Sequence, residues 1–170
     1  MEAALSCATS MFCAADHYME QSLSGLPTTA QAQRAGGANS ILWVVGHALV
    51  GRLRLLTLLG ADNDIPWQEF FDKGGSEALS ASDARRPDLP ALMARWNASK
   101  DALARRLADL TAEDLAVPQS YDLPTCDPTL LGLISYFAFH EAYHIGQIAC
   151  IRKAIGQPLP RRTADRALSH

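Results

Sequence analysis

Cysteine is sparse in this sequence: Cys7, Cys13, Cys126 and Cys150 are the only four, and none forms a CxxC pair. Such spacing reads as free, buried thiols in a reducing compartment and excludes a disulfide framework. Positive charge is no better concentrated. Lys and Arg total 15 against 18 Asp and Glu, a net charge of −3, and the arginines are scattered instead of gathered on one stripe. No nucleic-acid partner is therefore expected. The N-terminal residues carry Glu2 and no basic stretch ahead of their apolar part. They do not read as a secretory signal, and the expected compartment is the cytoplasm. Alternating strand patterns and internal repeats are lacking as well.

What is present is helical periodicity in a chain of 170 residues, with 48% apolar and 19% charged composition. That length fits one domain with a real core, expected over about 5–157 with a polar tail at 158–170. Leu5, Phe12, Ala15, Met19 and Leu23 recur at helical spacing within a first helix over 3–24, which stops before Gly25 and Pro27. A second helix starts near Asn39 or Ser40, either a plausible N-cap, and runs to Gly60 with apolar residues on every side. The connection over 60–87 is rich in Gly, Asp, Ser and Pro, and only PWQEFFDKG within it looks ordered. It is long enough for the next helix to run parallel to the second. A third helix, 88–110, sets Leu92, Trp96, Leu103, Leu107 and Leu110 on one face. Asp127 as N-cap and Pro128 at the first helical position announce a fourth, ending at Gly156 with Arg152 and Lys153 in its last turn. The expected fold is all-α, a four-helix bundle with a long crossover between the second and third helices.

Between Thr129 and Cys150 the only charged residue is Glu141, so a membrane span has to be weighed. A glutamate and two histidines at its centre are costly in lipid, and no flanking charge bias orients it. A buried helix with no membrane partner is the expected reading.

That same segment contains HEAYHIGQ, residues 140–147. Residues four apart on a helix project about 40° from each other, so His140 and His144 share a face, with Gln147, Leu133 and Phe137. An imidazole pair facing a core needs partners, either hydrogen bonds or a metal. His47 lies in the equally apolar WVVGHALVG, flanked by Gly46 and Gly51. Three neutral imidazoles converging inside a bundle would make a facial site with open positions; two or three hydrogen-bonded core histidines explain the same residues. HEAYH also fits the HExxH zinc-protease pattern, in which the glutamate is the general base. Neither continuation of that signature follows: HIGQIAC replaces the third-histidine run, and no glutamate occurs after Glu141. Glu141 is then expected to accept a hydrogen bond from a ligand imidazole or to pair with another helix.

The histidine of NSILWVVGHALVGRLRLL, the PWQEFFDKG stretch and the HEAYHIGQI run together resemble the DinB-like (YfiT-like) superfamily of bacterial four-helix proteins, over about 5–157. The resemblance implies an up-down-down-up bundle, commonly dimeric, holding nickel, zinc, iron or manganese on His47, His140 and His144. It also implies a metal-dependent transferase that activates a low-molecular-weight thiol for attack on an electrophilic small molecule. Gln147, Asn39 and Glu141 are the candidate catalytic residues. The alternatives are a metal-water hydrolase and a non-catalytic structural or stress-response bundle. His17 can approach the metal mouth or lie on the surface, and His170 falls in the polar tail. Trp43, Trp67, Tyr136 and Tyr143 line a pocket or fill the core.

Overall fold

A computed structural model describes residues 2–72, 83–121 and 123–159; the expected tail beyond 159, with His170, lies outside the described residues, as do residues 73–82 of the long connection. Among the described residues, four long helices, α1 (Glu2–Leu23), α3 (Ile41–Leu58), α5 (Leu89–Ala108) and α7 (Leu130–Ala154), accompany three single-turn ones, α2 (Thr28–Gln31), α4 (Gln68–Phe71) and α6 (Ala112–Leu115). No strand occurs among the described residues, only an isolated bridge between Pro118 and Thr129.

The helix limits follow from local chemistry. Ser40, not Asn39, caps α3: its backbone is extended and its hydroxyl accepts from the Trp43 N–H. Asp88 caps α5 through the Ala91 N–H, with Pro90 in the first turn. Gly60 and Gly156 follow α3 and α7 in the left-handed conformation that glycine adopts without strain. One boundary corrects the sequence reading. Asp127 does not cap α7; its carboxylate accepts from the Thr129 N–H, and Thr129 in turn caps the helix two residues later than expected. The chain turns back over Gly132, where any Cβ would collide with the Asp127 carbonyl.

α3 is the central element. It packs against α7, α5 and α4, while α1 packs against α7 and α5. Every residue from Ile41 to Leu56 is buried except His47 and Arg54, and both of these open onto one cavity. α3 is long and apolar enough to cross a membrane, but 72% of it is buried inside the protein. The 129–150 segment singled out from sequence is not the one that meets this criterion among the described residues.

The four cysteines are unpaired and exposed, not buried. The reason lies in helix register: the buried face of α1 is Ala8, Phe12, Ala15 and Met19, and Cys7 and Cys13 each miss it by one residue.

A buried ionic knot ties three helices together. The guanidinium of Arg52 donates two parallel hydrogen bonds, each 2.7 Å, to the Glu141 carboxylate, and a third of 2.6 Å to Asp16. Its carbon lies 3.7 Å from the centre of the Trp96 ring, whose own N–H donates to Asp16. Burial alone would lower the Arg52 pKa, but Glu141 and Asp16 outweigh it and hold the pKa above its ordinary value. Burial pushes the Glu141 carboxyl up against the pull of Arg52; the bidentate geometry keeps the pair ionic. Removing one member leaves uncompensated charge in the core. Arg52→Met is expected to cost roughly 3–5 kcal/mol of unfolding free energy, read from urea denaturation. A loss under ~1 kcal/mol, the size typical of exposed pairs, would show that water reaches the knot.

Candidate metal centre

Three histidines from two helices meet beside this knot. One ring nitrogen from each of His47, His140 and His144 lies within 4.8 Å of the others. The His140 Nε2 stands 3.3 Å from the His47 Nε2 and 3.1 Å from the His144 Nε2. Two of the three tautomers are set by their other nitrogens. The His47 Nδ1–H donates to the Phe71 carbonyl at 2.7 Å, and the His144 Nδ1–H donates to the Gln147 Oε1 at 2.8 Å. Both therefore present bare Nε2 lone pairs to His140. A single proton on the His140 Nε2 can satisfy only one of them, so hydrogen bonding alone leaves the cluster incomplete.

A divalent ion fits this arrangement. Imidazole nitrogens bound at about 2.0–2.1 Å stand about 3.0–3.4 Å apart in facial or tetrahedral sets, the separation seen for both pairs that include His140, while the His47 and His144 nitrogens lie within 4.8 Å of each other. His140 and His144 are also in the state that a metal requires. Burial lowers the His140 pKa to about 3, with the neighbouring His144 and His47 adding to the effect. Burial lowers that of His144 to about 4, although its hydrogen bond to Gln147 opposes the shift. Both rings are neutral at pH 7, and the three histidines can bind a metal.

The local sequence explains how the rings come together. Trp43, one turn before His47, stacks on it with ring centres 4.8 Å apart and planes within 9°. Gly46 leaves room for Phe71: a Cβ there would lie 2.5 Å from its ring. The Phe71 ring thus sits on α3 while its carbonyl reaches His47. Trp67, left-handed at φ 62°, turns the chain into α4 and so delivers Phe71. Gly51 does the same for His140, whose Cε1 would be 2.9 Å from a Cβ at that position. The His140 Nδ1 is buried on this side and has no partner among the described residues.

Two cavities flank the cluster. One, about 560 Å³, opens onto His47 and His140 between α3 and α7, with Tyr121, Tyr136 and Phe137 on its walls. The other, about 690 Å³, is a groove containing Asn39, Tyr143, Gln147 and Cys150. Asn39 and Gln147 therefore share a wall, but away from the cavity onto which His47 and His140 open. Glu141 faces the opposite way, into the ionic knot with Arg52, so the interhelical role holds and the imidazole acceptors are Gln147 and Phe71. His17 is exposed, edge-on to Tyr18, and outside the cluster. Of the aromatics, Trp43 is core, Trp67 is half-buried against it, and Tyr136 and Tyr143 each line one of the cavities. Sequence reasoning missed Arg52 and the Phe71 carbonyl; an arginine inside an otherwise apolar helix was a signal for the first, and no side-chain signal exists for the second.

The geometry defines an all-helical protein with a tri-histidine cluster fit for a divalent ion. The family model for the DinB superfamily matches residues 12–148, and the chain belongs to that superfamily. No curated protein matches it in sequence.

Protonation should work against the metal-free fold. Both histidine pKa values are lowered from the unfolded value of about 6.5, so their contribution is complete above that pH and is lost as pH falls toward the folded values. The thermal midpoint of chelator-treated protein is expected to drop steadily from about pH 6.5 to 5, before ordinary carboxylates titrate. A midpoint that is flat across that window would mean that the rings are already solvated.

Proposed function

We propose that the chain is a metal-dependent transferase that uses a low-molecular-weight thiol, with His47, His140 and His144 as the ligands of a nickel or zinc ion. The observation that carries this reading is the set of three converging Nε2 atoms beside a cavity of about 560 Å³. Structural zinc sites close with four protein ligands, whereas catalytic ones keep a position open. Among the described residues no fourth His, Cys, Asp or Glu joins the cluster. Three neutral imidazoles leave the ion's charge uncompensated, which favours ionisation of a thiol placed at the open position. The transfer joins the thiol sulfur to the electrophilic atom of the second substrate, whose leaving group departs as the thiol proton passes to solvent. Phe71 and Gln147 hold two ligand rings in the required tautomer, and Phe137, Tyr136 and Leu123 give the cavity apolar and aromatic walls.

The same reading takes the four long helices as an up-down-down-up bundle. Arg152 near the end of α7 donates to the Ser22 and Ser24 carbonyls at the end of α1, and Arg106 near the end of α5 donates to the Gly60 carbonyl after α3. Both pairs of like ends being together supports that order. The unpaired cysteines suit a reducing cytoplasm.

Elemental analysis of the purified protein is expected to give near-stoichiometric divalent metal, lost in His47→Ala and His144→Ala. Gln147→Leu should keep the fold and bind metal about 10–100-fold more weakly. With metal established, thiol consumption in the presence of electrophiles tests the transferase. A parent protein that takes up neither nickel nor zinc would refute the site, and metal loading without thiol turnover would refute the activity.

A homodimer is proposed through the outer face of α7. Phe139 and Tyr143 are 60% and 54% exposed and stack on each other, and Ala142, Gly146 and Cys150 continue the face without a charge. Monomeric proteins rarely leave such a stripe uncovered. Sedimentation equilibrium should return twice the chain mass, falling to the monomer in Tyr143→Glu; a monomeric parent would reject the interface.

A further inference from the structure

Among the described residues, the cavity beside the histidines has one charged wall residue, Arg54. Arg54 and His47 are the two positions where the buried stretch of α3 opens, and they sit two turns apart on the same side of that helix. Around them the wall is apolar and aromatic, with Leu58, Ile65, Leu123 and Phe137. A volume of about 560 Å³ is that of a small-molecule site. The Arg54 guanidinium is only half engaged: its Nη2 donates to the Asp72 carboxylate at 2.7 Å, at a place where both side chains remain more than a third exposed.

We infer that this cavity binds an organic acid, an apolar or aromatic body with one carboxylate held by Arg54, and that this acid is the electrophilic co-substrate. Naming it a substrate rests on the proposed transferase reading; the binding site does not. A guanidinium fork matches a carboxylate in two parallel hydrogen bonds. One cation already shared with Asp72 suits a monoanion better than a phosphate dianion. The apolar walls supply the area that holds the body of the molecule, and the carboxylate sets which end faces the histidines.

The test uses phenylpropanoate, phenylpropanol and phenylpropylammonium as probes that share one apolar body, titrated calorimetrically into the protein as purified and after chelation. In both forms the acid is expected to bind about tenfold or more tightly than the alcohol, as one charge-assisted contact allows, and the amine most weakly. Arg54→Met should abolish the preference while keeping alcohol binding, and Arg54→Lys should restore part of it. Asp72→Asn, which releases the fork, should tighten the acid alone. Equal binding of acid and alcohol, no binding of any probe, or an acid preference that survives Arg54→Met would overturn the inference; in the last case the carboxylate would be on the metal or elsewhere. Metal content measured on the same samples separates the two readings. A protein that takes up neither nickel nor zinc yet still selects the acid through Arg54 refutes the transferase and leaves the acid site standing.

Discussion

The close approach of α3 to α7 is the constraint on which the site depends. Ligands from two helices can share one ion only if the backbones come near enough for short imidazole side chains to meet. Gly51 makes this possible, since the edge of the His140 ring lies only 2.9 Å from where a β-carbon would be. Gly46 performs the same service on the neighbouring side, letting Phe71 press onto α3 and turn its carbonyl toward His47. The two glycines that flank the helix-three histidine are thus the means by which it gains both a partner ring and a hydrogen-bond acceptor. Each lowers the helix propensity of α3 by about 1 kcal/mol relative to alanine, a cost that burial of nearly the whole helix offsets many times over.

The ionic knot fixes the register of that approach. Arg52 reaches Glu141 and Asp16 at once, so a shift of α7 along α3 by even one turn would leave a carboxylate buried without a partner. An apolar seam tolerates sliding much better, because leucines exchange one contact for another. The placement of charge in the core therefore specifies which histidines face each other, and does so from the residues adjoining them in sequence: Glu141 follows His140, and Arg52 follows Gly51.

Much of this was legible in the residues alone. Helical spacing and capping chemistry place α1, α3 and α5 within about two residues, because side-chain caps and terminal glycines act locally. The histidine cluster is legible for a related reason, since polar rings on the apolar faces of helices demand partners. What remained hidden is non-local. The start of α7 depends on Asp127 folding over Gly132, a contact that the Asp-Pro pair does not announce. The exposure of the cysteines depends on a register difference of one residue, which average burial tendencies cannot resolve. The acceptor for His47 is a backbone carbonyl 24 residues away, and backbone groups leave no mark in a sequence pattern.

Adjacency on a helix also accounts for the resemblance to a zinc protease and for its failure. Neighbouring residues differ by about 100° in direction, so Glu141 cannot project with His140 and His144. In a protease helix the glutamate borders the ligand face and reaches a water on the metal. Here the direction 100° away is occupied by Arg52, and the carboxylate is consumed in two short hydrogen bonds to it. A base neutralised by a guanidinium in the core has neither the free lone pairs nor the access to water that hydrolysis requires. The same five-residue pattern serves two chemistries because the neighbouring helix, and not the pattern, decides what the glutamate meets.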